Sequence, residues 1–359
     1  MKTKIINQVP RIAMFIGETS YLTPFIGSLY AALQSTGEQY TYADLLGFSG
    51  AGNRLSWRSG TWDPGNVDIT RCEYPPFSPH QRVFNAIGRQ GLVRQTKSLW
   101  NQEEELICLP QATQEIVESI QNDVPVLAMG IIGPPECCVV FGYENSGESL
   151  IGWNYFQDTE GYDPNQPFHK KNWFPQLSGY ILISEKNKKP NPKESALTAF
   201  RSIVHHFYNH EVKGSKVGLE AWKAMLHQLE HDDFSQCSLD FPNGQPGDDA
   251  TWQNSVKGRF MVYCDALCQI YERHNVLPYY RSLLLSNPEW TPYLEPAIKA
   301  WEDCSSYGGY LWQYMDMSSD GLEKFRNPAI RQILAKEGRR CMEKDIEAIS
   351  WIEKLLQKE

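Results

Sequence analysis

The chain has 359 residues, 41% of them hydrophobic and 12% aromatic, with 34 Lys and Arg against 43 Asp and Glu for a net charge of −9. That length exceeds what one hydrophobic core usually organises and predicts two domains; the acidic balance, relieved by no basic block, argues against nucleic acid or an anionic membrane as partner. The N-terminal stretch has no apolar signal core, no long apolar run follows, and nine cysteines lack zinc-ribbon spacing, so a cytoplasmic protein with reduced thiols is expected, a homo-oligomer remaining open.

In chain order, residues 10–16 suit a short strand and 17–23 a loop. Thr23 stands as an N-cap, Pro24 follows at the first helical position, and Phe25, Leu29, Ala32 and Leu33 fall on one face, which predicts a buried helix ended by Gly37. A short helix around Tyr42, Leu45 and Leu46 runs into Gly47, Gly50 and Gly52, with Arg54 just beyond. Such a loop can turn backbone N–H groups and a guanidinium toward an anion, but it has no Walker Lys and no dinucleotide fingerprint. Residues 66–77 read as strand then turn, 79–91 as a helix with Val83, Phe84 and Ile87 inward, and 111–122 as a helix through Ile116, Val117 and Ile120.

Three apolar runs follow, Val124–Ile132, Cys137–Phe141 and Ser149–Trp153, punctuated by Gly-Pro-Pro and Asn-Ser-Gly, and they predict three strands joined by tight turns. The middle run is apolar throughout, as in a strand buried on both faces, yet Glu136 stands at its mouth beside Cys137 and Cys138. A Pro-punctuated loop at 159–175 and a strand at 178–185 complete this half. The segment KNKKPNPK is charged and Pro-broken, so residues 1–187 are expected to form one domain, 188–193 a linker and 194–359 an all-α domain. Its helices are expected at 195–210, 219–229, 252–274, 278–285, 292–310 and 327–356, with a Pro/Gly/Asp loop at 238–249.

His227, Glu230 and His231 have the H-x-x-E-H order of inverted zinc metallopeptidases, with both histidines on one helical face. The same helix carries the apolar Trp222, Leu226 and Leu229, no third ligand announces itself, and His206 and His210 repeat the spacing. Histidines on a polar face are therefore the expectation, zinc the alternative, and no cofactor is predicted. Cys264 and Cys268 sit among Phe260, Tyr263 and Leu267 and read as packing residues. No serine lies in a G-x-S-x-G elbow.

The succession TPFIGSLYAALQSTG, LLGFSGAGNR, VPVLAMG, CCVVFGYE and a final GYILI strand resembles the papain-like cysteine peptidase fold. Within it, the closest likeness is to the bacteriocin leader peptidases and the N-terminal domain of butirosin biosynthesis protein H. The resemblance covers residues 12–185 and implies an α+β domain with a central antiparallel sheet. It also implies a cysteine nucleophile opening the first helix, where Pro24 stands, and a histidine before the buried strand, where Glu136 stands. The third, orienting residue falls near Asn154 or Asp158.

Nucleophile and base are thus both missing. The expectation is a catalytically degenerate protein that binds a small molecule or an acyl or peptidyl group in the former cleft, lined by Tyr21, Thr23, Ser28, Arg54, Glu136, Cys137, Trp153 and Asn154. One alternative keeps acyltransferase or hydrolase activity on Cys137 and Glu136, although a neighbouring carboxylate and burial both raise a thiol's pKa. A pure interaction protein using the aromatic helical half is another.

Overall fold

A computed structural model describes residues 2–16, 19–59, 68, 78–97, 105–184, 186–212, 214–234, 237, 255–314, 316 and 318–359. The strand and turn expected at 66–77, apart from Asp68, and the loop expected at 238–249 lie outside the described residues. The chain divides into two compact units, the first of Met1–Leu45 and Asp68–Pro192, the second of Leu46–Val67 and Lys193–Glu359.

The first unit begins with β1 (Lys4–Ile5), β2 (Phe15–Ile16), β3 (Thr19–Ser20) and α1 (Pro24–Ser35), and the division falls inside α2 (Tyr42–Ser49). After β4 (Ser56–Trp57), which belongs to the second unit, come α3 (Pro79–Ala86), β5 (Gly91–Gln95), α4 (Leu109–Gln121), β6 (Val126–Met129), β7 (Cys137–Glu144), β8 (Ser149–Trp153), β9 (Phe168–Lys171) and β10 (Gly179–Ile183). The main sheet is antiparallel with strand order β5-β10-β6-β7-β8-β9, and β1 also pairs with β7 through Lys4↔Tyr143 and Ile5↔Gly142. All of β7 except Glu144 is buried, because α1 and α4 pack on it as well as its neighbouring strands. Its uninterrupted apolar sequence is the signature of that placement.

Three expectations for this unit change. The strand expected at 10–16 shrinks to Phe15–Ile16, paired with Thr19–Ser20 in a hairpin. The helix expected at 79–91 stops at Ala86, since Gly88 takes φ 72°, and Gly91 instead opens β5, where a side chain would collide with the Phe84 ring. The loop expected at 159–175 contains β9, which pairs with β8 from Ser149↔Lys171 to Gly152↔Phe168.

The second unit contains α5 (Pro192–Tyr208), β11 (Glu211–Val212), β12 (Ser215–Val217), α6 (Gly218–His231), α7 (Val256–Ser286), α8 (Thr291–Tyr314), α9 (Ser319–Arg326) and α10 (Pro328–Lys358). It is not all-α: β4 joins β12 and β11 in a three-stranded sheet, so the 46–67 segment supplies an edge to a unit otherwise built from the C-terminal half. The two helices expected on either side of residue 275 are one, α7, with Pro278 inside it.

The glycine-rich loop is explained by packing on α7. A side chain at Gly47 would run into the Tyr279 ring, and one at Gly52 would lie 2.8 Å from Val276 Cβ. Close approach of backbone, rather than an anion, accounts for these glycines.

A closed polar network sits in the core of this unit. Arg273 and Asp345 are both fully buried; Arg273 Nε and Nη2 donate to the two Asp345 oxygens at 3.0 and 2.5 Å. The carboxylate also accepts from Trp222 Nε1 at 2.8 Å and Trp301 Nε1 at 3.1 Å. The remaining guanidinium donors reach the carbonyls of Asn53 (3.2 Å), Arg54 (3.3 Å) and Gln269 (3.1 Å), so all five N–H groups are used. Burial alone would lower the Arg273 pKa, but Asp345 more than reverses this and holds it above the ordinary value.

No helix among the described residues is long and apolar enough to cross a membrane.

Candidate functional site

The resemblance places chemistry where α1 meets the start of β7. Thr23 has extended backbone before Pro24, and its N–H donates to Tyr42 Oη at 3.0 Å. One turn into the helix, Ser28 Oγ donates to the Cys137 carbonyl at 3.2 Å, and the Cys137 N–H donates to Asp68 Oδ2 at 2.7 Å. The structure therefore does bring Ser28, Cys137 and Glu136 into one neighbourhood, together with Asp68, which no spacing or motif signalled.

That neighbourhood is sealed: Thr23, Ser28, Glu136, Cys137 and Asn154 are all buried, and the Cys137 thiol has no exposed surface. Burial, then the Asp68 carboxylate, pushes the Cys137 thiol well up from its ordinary range, with Glu136 adding to the rise. Cys138 is pushed up to about 12, chiefly by burial. A nucleophilic thiol needs the opposite surroundings, a cation or helix N-terminus and access to solvent.

Two outcomes follow for the thiols. Among the described cysteines, exposed Cys108 and half-buried Cys237 should react with iodoacetamide in the native protein while Cys137 and Cys138 resist; peptide mapping that finds Cys137 modified as fast as Cys108 would contradict this. The pH dependence has a definite sign. An unfolded thiol loses its proton near about pH 8.5. The folded Cys138 keeps its own until about pH 12, so the stability from this thiol is whole below the unfolded value and is lost as pH rises toward the folded one. Cys138→Ala should flatten the alkaline limb of a urea-midpoint profile.

Open space lies beside this junction, on another face of α1. A cavity of about 310 Å³ opens over Gly27 and Tyr30, walled by Tyr21 and Tyr155, with Pro10, Ile12 and Ile16 along one side and Arg11 among its lining residues. Gly27 makes it possible: a Cβ there would collide with the Tyr155 hydroxyl, so the bare backbone lets that ring lie across the helix. Tyr21 stacks on Tyr30 with centroids 5.9 Å apart and meets Tyr42 edge-on at 4.8 Å. Burial, then Tyr30, raises the Tyr21 pKa, so its hydroxyl is neutral at physiological pH.

Two candidate residues act on this cavity at one remove. Asn154 Oδ1 accepts from the Phe156 N–H at 2.7 Å, and its Nδ2 donates to the Ile132 carbonyl at 3.3 Å. The side chain thus closes an Asx turn around Tyr155 and fixes where that ring points. Trp153 Nε1 donates to the Val9 carbonyl at 3.3 Å, tying down the segment that carries Pro10 and Arg11.

Of the eight residues expected to line the cleft, Tyr21 alone is among the lining residues of this cavity. Arg54 belongs to the second unit, where it is buried. Arg11, Gly27, Tyr30 and Tyr155 were not anticipated. The available signal was Gly27 itself, a glycine in the interior of a helix whose neighbours are bulky, which marks a close approach.

The residues of the zinc alternative are engaged with one another and with Arg339. Glu230 is taken by an ion pair with Arg339, while the His227 and His231 rings stack at 4.4 Å and His231 Nδ1 lies 2.9 Å from the His227 carbonyl. Among the described residues no group of three or more His, Cys, Asp or Glu is placed to hold a metal ion. No family model matches the chain, and no curated protein matches it.

Proposed function

We propose that the first unit is a catalytically degenerate papain-like scaffold whose surviving use is to bind a small molecule or an acyl or peptidyl group. The observation that carries this reading is the pairing of a sealed junction with an open cavity on the same helix. Where the nucleophile would stand there is Pro24, which has no side-chain group able to attack, and where the base would stand there is a buried Glu136. Beside them lies a space at the lower end of small-ligand pockets, lined by three aromatic rings. Asn154, one of the two positions that the resemblance offers for the orienting residue, serves the wall of that cavity through the turn at Tyr155.

Ligand-observed NMR with a panel of small aromatic and short-chain acyl compounds tests the reading. Some members should bind the wild type and lose binding in Ile16→Trp, a change at an exposed lining residue that fills the cavity without entering the core. A panel in which nothing binds, or in which Ile16→Trp changes nothing, would sink it. The acyltransferase or hydrolase alternative requires a rate that depends on Cys137. On the binding reading, release of p-nitrophenol from p-nitrophenyl acetate is the same for wild type and Cys137→Ser, and a rate lost in that variant would restore catalysis.

A further inference from the structure

We infer that the cavity over Gly27 takes an aryl carboxylate, its ring held among Tyr21, Tyr30 and Tyr155 and its carboxylate at Arg11. The inference rests on the proposed binding reading and names the chemistry that the site would recognise. Among the described residues that line the cavity, Arg11 alone is charged. Its side chain is exposed, and among the described residues the guanidinium has one side-chain partner, the neutral Asn165 Oδ1, 2.8 Å from Nη1. A guanidinium carries five N–H donors in a fork that matches a carboxylate. One is used here, and it orients the group without neutralising it.

The interior calls for the other half of the ligand. Tyr21 and Tyr30 already stack with an interplanar angle of 21°, and Tyr155 supplies a third ring across the bare backbone of Gly27. A flat ring finds offset or edge partners on these walls, and Ile12 and Ile16 extend the apolar lining. A cationic ligand would meet Arg11 with like charge, and a neutral one would forgo the one charge among the described lining residues.

Calorimetric titration with 3-phenylpropanoate and with its uncharged amide separates this inference from the reading beneath it. The carboxylate should bind wild type at least about tenfold more tightly than the amide, with the preference lost in Arg11→Gln, since a charge-assisted hydrogen bond is worth about that factor. Asn165→Ala should weaken the preference less, and added salt should reduce it, because the ion pair forms at an exposed position. Equal binding of acid and amide, or a preference that survives Arg11→Gln, would overturn the assignment of the carboxylate to Arg11 and leave the cavity as a binding site. Failure of both probes, where other members of the NMR panel do bind, would overturn the aryl carboxylate class. Failure of every compound would overturn the binding reading with it.

Discussion

Asp345→Asn is expected to destabilise the second unit by about 3–5 kcal/mol, the range for breaking a buried ion pair at one partner. The reason lies in how completely the pair is enclosed. Asp345 accepts four hydrogen bonds, two from Arg273 and one each from Trp222 and Trp301. An amide in its place keeps one acceptor oxygen and turns an N–H₂ toward donors. It also leaves Arg273, with no exposed surface, as an uncompensated cation. The loss should appear as a lower urea midpoint for this unit, followed by the fluorescence of Trp222 and Trp301. Arg273→Met should cost a similar amount by a different route, because Asp345 is left a buried carboxylate without its cation and the carbonyls of Asn53, Arg54 and Gln269 lose the guanidinium donors. Since the two side chains act as a unit, the double variant should lose clearly less than the sum of the single ones. A midpoint shift equivalent to less than about 1 kcal/mol for Asp345→Asn would mean that water reaches the pair, contrary to its burial.

This network was not legible in the sequence, although much around it was. Pro24 after Thr23 announces α1, and the apolar runs announce β6, β7 and β8, because each depends on residues close together in the chain. Arg273 and Asp345 stand 72 positions apart on different helices, and each alone looks like part of a solvated face. The length of α7 was hidden for a related reason: it is buried on most of its circumference, so no polar stripe marks its continuity, and Pro278 reads as a stop. The 46–67 segment joins the second unit through pairs such as Lys216↔Trp57 and Val217↔Ser56, again a long-range choice.

The candidate site divides along the same line. The resemblance assigned roles by position to Pro24, Glu136 and Asn154 or Asp158, and the structure brings Ser28 and Cys137 together. What position could not disclose is which groups face open space. The period of a strand puts Cys137 and Cys138 on opposite faces without saying that both faces are covered. Tyr155 reaches its place only through the Asn154 turn and the gap left by Gly27, a fit between two segments that neither segment shows by itself.

That fit supplies the second large effect, Gly152→Ala, set against Gly27→Ala. Gly152 pairs with Val140 on one side and Phe168 on the other, in the middle of β7, β8 and β9. A Cβ there would collide with the Val139 carbonyl and lie 2.7 Å from Cζ of Phe168, a ring with no exposed surface to retreat into. Relief requires the strands to part, and about 3 kcal/mol of lost stability is expected for the first unit, at the upper end of overpacking costs. Because Asn154 and Tyr155 follow immediately, displacement of β8 should also abolish binding of 3-phenylpropanoate. At Gly27 the collision is with the Tyr155 hydroxyl, the far end of a side chain rather than a strand backbone, so a shift of that ring relieves it. The gain in helix propensity, about 1 kcal/mol, offsets that adjustment, so Gly27→Ala should leave the unfolding midpoint nearly unchanged while still weakening the probe. The two alanines therefore separate stability from binding at the same cavity wall. If Gly27→Ala left the probe's affinity untouched, Tyr155 would not be part of the site, and the cavity would have to be assigned to the Tyr21–Tyr30 side alone.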